Sequence, residues 1–424
     1  MNNILIKLDN LDISLFNNKP LRFFILASLI LINFLLLHKY NIFVGDDGVL
    51  APLISGYYYF NLEQSIMCPE WEVHKWYTSI LGKFYVWYFS FFTFLTDTLT
   101  LNFRWINVGS FFLFISSFIF FYNSIKKSNL IFKLSIIFLT LEPFIVLSHS
   151  IRHDILVFAG NLILIYVILS EKINLLKYCL FFIGLIFITI HPSGIPLMAA
   201  ILVYIIFNFN IKEIIIFILL ILSAICFYLY NNNILNPDNI YSLIKIRYES
   251  SFLYNDSYIL TIYDYFYYSK FKRHLIEIIF FIIYIFSFIN FNKFSKKLKF
   301  FSCFPLIYLG VFILLNYFNI SYFKHLYAVI LIYFGLYSIE FTNIKNINIY
   351  SSIVVSPFVF LYIALSLIFI PHNSWKLLED NFYLFDQYLN EKDIYAAPLY
   401  FSFFKPKKIN NYLPITHIDE LGSG

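Results

Sequence analysis

Runs of uncharged apolar residues, each near the length that crosses a bilayer, recur along this chain and leave few folds open to it. Spanning the hydrocarbon core takes about 20 helical residues, and helices satisfy their own backbone there without closing a barrel. The candidate spans are Leu21 to Leu37, Trp105 to Tyr122, Leu134 to Ser148, Ile155 to Ser170, Tyr178 to Ile190, Gly194 to Phe207, Glu213 to Tyr230, Leu275 to Ile289, Phe300 to Phe318, His325 to Glu340 and Ile349 to Ile370. This predicts an all-α polytopic membrane protein with about 11 transmembrane helices. Composition agrees: 60% of the 424 residues are hydrophobic and 13% charged, where a soluble domain carries roughly a quarter charged residues. The first apolar run follows a basic segment without a small-residue cleavage site, so it is expected to be a retained helix.

Lys83 to Asp97 (KFYVWYFSFFTFLTD) is apolar but only about four turns long. The distribution of lysine decides how it lies, because cytoplasmic loops collect positive charge. If the segment rests on the outer surface, the inner loops carry Lys126, Lys127 and Lys133, then Lys172 and Lys177, Lys212, Lys293 to Lys299, and Lys345. If it crosses, those lysines turn outward. The expectation is therefore an outer-face juxtamembrane helix, a cytoplasmic N-terminus and an outer C-terminus.

Three segments then face outward: residues 38–104, 231–274 and the tail 371–424. The chain divides into a catalytic membrane module (1–230), a variable C-terminal transmembrane region (231–370) and that tail. In the tail, Ser374 to Asn390 reads as a surface helix and Asp393 to Phe404 as a strand, giving a small C-terminal α/β extension. Most of the 25 acidic residues and all nine histidines fall on the outer side or at its helix ends. These are the usual acid and base groups. The formal charge of +5 implies no nucleic-acid partner, and Cys68, Cys179, Cys226 and Cys303 are too scattered for a disulfide framework or a cysteine metal site.

Three outer-face clusters carry chemistry. In Gly45-Asp46-Asp47-Gly48, two carboxylates at an interface suit a general base or a divalent-ion ligand; Asp47 alone also suits a helix cap. In Ser148-His149-Ser150-Ile151-Arg152-His153-Asp154, four ionisable groups crowd a helix junction, and a cap needs only one of them. Arg152 offers the planar fork that matches phosphate, while Asp154 opens the next helix. The third is the turn His191-Pro192-Ser193-Gly194. Lys83, Arg104, Lys324 and His325 are further outer-end basic groups, each also able to snorkel to a headgroup. Trp71 is suited to stacking on a sugar as well as to an interfacial belt.

This order of features resembles glycosyltransferase superfamily C, with the nearest likeness to protein O-mannosyltransferases and the aminoarabinose transferases of lipid A. Asp46 matches the first-loop catalytic carboxylate and Asp47 its acidic neighbour, with Asp-Asp-Gly where the family commonly has Asp-Glu. Lys83 resembles the residue leading into the juxtamembrane helix, Arg104 the arginine after it, and Asp154 the aspartate after the third helix. His191-Pro192 is similar to the histidine-proline turn of bacterial members. The likeness covers roughly residues 1–210.

What the resemblance implies is transfer of a sugar from a polyprenyl-phosphate donor to a hydroxyl or amine of a glycan, lipid or protein acceptor, in a bacterial inner membrane. Asp46, Asp47 and Asp154 would be catalytic. Lys83, Arg104, Arg152 and His153 would hold the donor phosphate, and His149, His191, Lys324, His325 and Trp71 would line the substrate cavity. No metal site is assigned, although paired aspartates permit a divalent cation. A lipid or polysaccharide transporter could use the same cavity for binding alone. Matched broken helix halves of the kind found in transporters are missing from the pattern.

Overall fold

The computed structural model describes residues 18–36, 84–85, 87–92, 94–95, 107–149, 153–170, 172–191, 194–231, 284–285, 291–314, 324–341, 395–398 and 412–415. These form helices α1 (Lys19–Leu36), α2 (Val108–Ser124), α3 (Ile131–Thr140), α4 (Glu142–His149), α5 (Asp154–Leu169), α6 (Leu175–Thr189), α7 (Gly194–Asn208), α8 (Ile211–Asn231), α9 (Lys296–Leu314) and α10 (Lys324–Glu340). Strands β1 (Tyr395–Pro398) and β2 (Tyr412–Ile415) pair in parallel, Tyr395 opposite Tyr412. The described chain is thus helical except for that pair, and β1 lies within the strand expected at Asp393 to Phe404. The expected helix 374–390 and span 349–370 lie outside the described residues, and of the expected span 275–289 only residues 284–285 are described.

Length separates the helices. Ile211–Tyr230 is long and apolar enough to cross a membrane alone, and Ile211, Ile215, Leu219 and Leu222 are exposed along it. Val108–Ser124, Asp154–Leu169, Leu175–Thr189, Gly194–Asn208 and His325–Glu340 are apolar but shorter. The expected single span from Leu134 to Ser148 is instead two helices, α3 and α4, bent by 59°. Pro143 accounts for the break, because it has no N–H to offer the carbonyl of Leu139 four residues earlier. That carbonyl is satisfied from another helix: Asn33 Nδ2 of α1 donates to Leu139 O at 3.0 Å, and to Leu29 O at 3.1 Å.

At the centre is α5, packed on α2, α4, α6, α7 and α10. Every residue of it but Tyr166 is buried. Contact with α6 depends on two glycines that let the backbones approach: a Cβ on Gly160 would stand 2.7 Å from Gly184 O. Phe138 of α3 fills the space on another side, with its ring against Phe114, Phe121, Phe144 and Phe158.

Contacts sort the helix ends into two sets. At one end, Lys297 Nζ of α9 donates to Leu169 O of α5 at 3.1 Å, Ser128 bonds Ser338, Ser295 N donates to Glu340 Oε2 at 3.0 Å, and Arg22 lies over Phe132. Helix starts here carry their own caps. Asn174 caps α6, and Asn210 with Glu213 forms a reciprocal capping box on α8. At the opposite end, Phe34 of α1 meets Phe111 of α2, and His153 meets His191. The described residues between 84 and 95 are helical, and rings near both ends of the stretch meet this second end: Phe84 meets Phe187 in the last turn of α6, while Phe92 meets Phe112 in the first turns of α2. Tyr88 Oη donates to Gly109 O at 2.9 Å. From Phe84 to Phe92, then, the described contacts lie at one end of the bundle.

Candidate functional site

The sequence clusters at 149–154 and at 191–194 converge at the second end of the bundle. The turn before α5 carries His153, and Asp154 is the first residue of α5; both side chains are buried. His153 has helical backbone angles and makes no side-chain cap. Its Nε2 instead stands 3.3 Å from Asp154 Oδ1, an ion-pair distance. The ring of His191, reached from the end of α6, stacks on that of His153 with centroids 3.8 Å apart and planes 23° from parallel.

Gly194 fixes the turn that delivers His191. Gly194 N donates to His191 O at 2.9 Å, and a Cβ on Gly194 would stand 1.8 Å from Ile188 O. Only glycine tolerates that approach, so the turn folds tightly back on the last residues of α6.

Two further elements close on the cluster. Tyr308 of α9, fully buried, lies within electrostatic reach of the Asp154 carboxylate. His325, at the second residue of α10, is also fully buried, and its ring centroid stands 6.3 Å from that of Phe158, one turn beyond Asp154. Thus α5, α6, α9 and α10 each bring a polar or aromatic group to the same end of the core.

His149 has a different place. Its Nδ1 stands 2.7 Å from Ile145 O and 2.8 Å from Ser148 Oγ, and its Nε2 stands 3.1 Å from Asn33 O. Burial and these carbonyl contacts make it a tie between α4 and α1. Lys324 is the first residue of α10. Asp46, Asp47, Trp71, Lys83, Arg104 and Arg152 lie outside the described residues. Among the described residues no group of three histidines, cysteines or carboxylates could hold a metal ion.

The expectation from sequence left out Tyr308 and Asn161. Tyr308 sits in an aromatic, apolar stretch that gives no signal of its neighbour. Asn161 had a signal: it is the one amide in the apolar run of α5. Seven residues after Asp154, it returns to within about 20° of the same helix face, about 10 Å deeper. Its side chain is fully buried, and among the described residues neither Oδ1 nor Nδ2 has a hydrogen-bond partner. A polar group left so within a bundle is costly and is a candidate for use by a ligand.

Comparisons with protein-family models, with curated proteins and with solved structures find no match for this chain.

Proposed function

We propose that this chain is a polytopic membrane glycosyltransferase, with about 11 spans of the length a bilayer requires, and that it moves a sugar from a polyprenyl-phosphate donor to an acceptor hydroxyl or amine at the outer membrane face. The observation that carries this reading is the convergence of His153, Asp154 and His191 at one end of the bundle. The described lysines of the intervening loops gather at the other end, which is the cytoplasmic one by the positive-inside rule.

In this reaction the donor keeps its tail in lipid and brings its phosphate to the interface. Asp46 removes the acceptor proton as the acceptor oxygen or nitrogen attacks the anomeric carbon. The bond from that carbon to the phosphate oxygen breaks, and the configuration inverts. Lys83, Arg104 and Arg152 stabilise the charge that grows on the departing lipid phosphate. Asp154 holds His153 at the phosphate, and Asp47 supports Asp46.

The test is to incubate the purified chain in vesicles with a polyprenyl-phosphate sugar and an acceptor, and to measure released lipid phosphate. Stoichiometric release with sugar transfer supports the enzyme. Binding without release would replace it with a transporter.

A further inference from the structure

The end of the bundle opposite the histidines carries a second feature, which the transfer reaction does not use. Where the α5–α6 connection meets the start of α9, residues 170–177 and 293–299 hold six lysines and one acid, Glu171. The bond from Lys297 Nζ to Leu169 O joins the two segments into one surface. Lys177 Nζ likewise donates to the backbone, at Lys172 O. The other four, Lys172, Lys293, Lys296 and Lys299, form no ion pair among the described residues.

Two described acids lie at this end, each held at a helix start. Glu213 accepts from Asn210 N in the α8 capping box, and Glu340 accepts from the backbone N and the hydroxyl of Ser295. Glu340 does so within the 293–299 segment itself, so two described carboxylates stand against six lysines and the surface keeps an excess of positive charge.

Apolar side chains stand beside these cations. Leu175 and Leu176, between Lys172 and Lys177, are 79% and 66% exposed. An outward leucine pair flanked by lysines suits a ligand with an anionic head and hydrocarbon chains. A nucleotide or an acidic peptide would leave the leucines unused.

We propose that this surface is a binding site for anionic phospholipid, with a two-phosphate headgroup seated on Lys172, Lys293 and Lys296 and its acyl chains along Leu175 and Leu176. Juxtamembrane lysines attract such headgroups within about one Debye length, roughly 8 Å at physiological salt. The site depends on membrane insertion of the chain and is independent of the transfer reaction. Resistance of the chain to alkaline extraction from vesicles tests insertion separately.

The experiment uses the full chain in phosphatidylcholine nanodiscs and titrates cardiolipin, with bound lipid read by native mass spectrometry. The expected result is a preference for cardiolipin over phosphatidylcholine that weakens with salt. The combined Lys172→Gln, Lys293→Gln and Lys296→Gln variant should weaken that preference about 100-fold. The matching Lys→Arg variant should keep it, showing that charge and not folding is read. Equal retention of both lipids, or an undiminished preference in the glutamine variant, would overturn the proposal. So would inorganic pyrophosphate displacing cardiolipin at similar concentration, since the leucines would then contribute nothing.

Discussion

The imidazoles of His153 and His191 stack with their centroids 3.8 Å apart, joining the start of α5 to the turn before α7. If this pair serves chemistry, shape alone will not replace it. His191→Phe should keep the stack and a melting temperature near that of the parent chain, while transfer falls at least about tenfold, the low end of what a positioned proton-transfer group contributes being larger still. Thermal unfolding and single-turnover transfer on the same sample check this. Full activity in His191→Phe would reduce the pair to packing.

Asp46→Asn removes the proposed base and keeps the size of the side chain. Transfer is expected to drop about 10²- to 10⁴-fold, with donor binding and expression retained. Asp154→Asn should cut turnover as well, and should also loosen its contact with His153, so its effect on donor affinity ought to exceed that of Asp46→Asn. Donor titration beside turnover measurements separates the two. Near-full transfer by Asp46→Asn would remove the mechanism.

Two glycines make a paired test of the backbone. A Cβ on Gly194 collides with Ile188 O, whereas one on Gly310 of α9 meets nothing within 4 Å among the described residues. Gly194→Ala is therefore expected to unfold the 191–194 turn or lower the melting temperature sharply. Gly310→Ala should be neutral or stabilise by about 0.5–1 kcal/mol, the usual helix-interior difference between the two residues. The reverse order would contradict the packing described for the start of α7.

Asn161 separates stability from use. Its buried amide has no hydrogen-bond partner among the described residues, so Asn161→Leu should stabilise the ligand-free chain by roughly the 1–3 kcal/mol that an unsatisfied buried group costs, read as a higher melting temperature. If the face it shares with Asp154 contacts substrate, the same variant loses transfer. A variant that is more stable and fully active would make Asn161 a packing residue only.

Helix positions were legible because long runs of apolar residues leave few alternatives. The expected spans at 155–170, 194–207 and 325–340 coincide closely with α5, α7 and α10. The break at Glu142-Pro143 was signalled by its proline but masked by the apolar run on both sides. The cluster was legible in part. His153, Asp154 and His191 are polar residues at helix ends, where a hydrophobic pattern makes them conspicuous. Tyr308 was not, because nothing in CFPLIYLG distinguishes a tyrosine within electrostatic reach of a carboxylate from one in an interfacial belt. Nor was the role of His149, since its tie to Asn33 O depends on how α1 packs, more than 100 residues away in sequence.

The Leu139 carbonyl, left open by Pro143 and filled by Asn33, makes positions 33 and 143 a single heritable unit. A lineage that replaced Asn33 first would carry an unfilled carbonyl until the proline was also lost, whereas one that straightened the helix first would displace His149 from α1. Neither order is free. Sequence drift in this region is therefore expected to proceed by joint replacement, so the two sites should change together among descendants of this chain, although they lie on different helices.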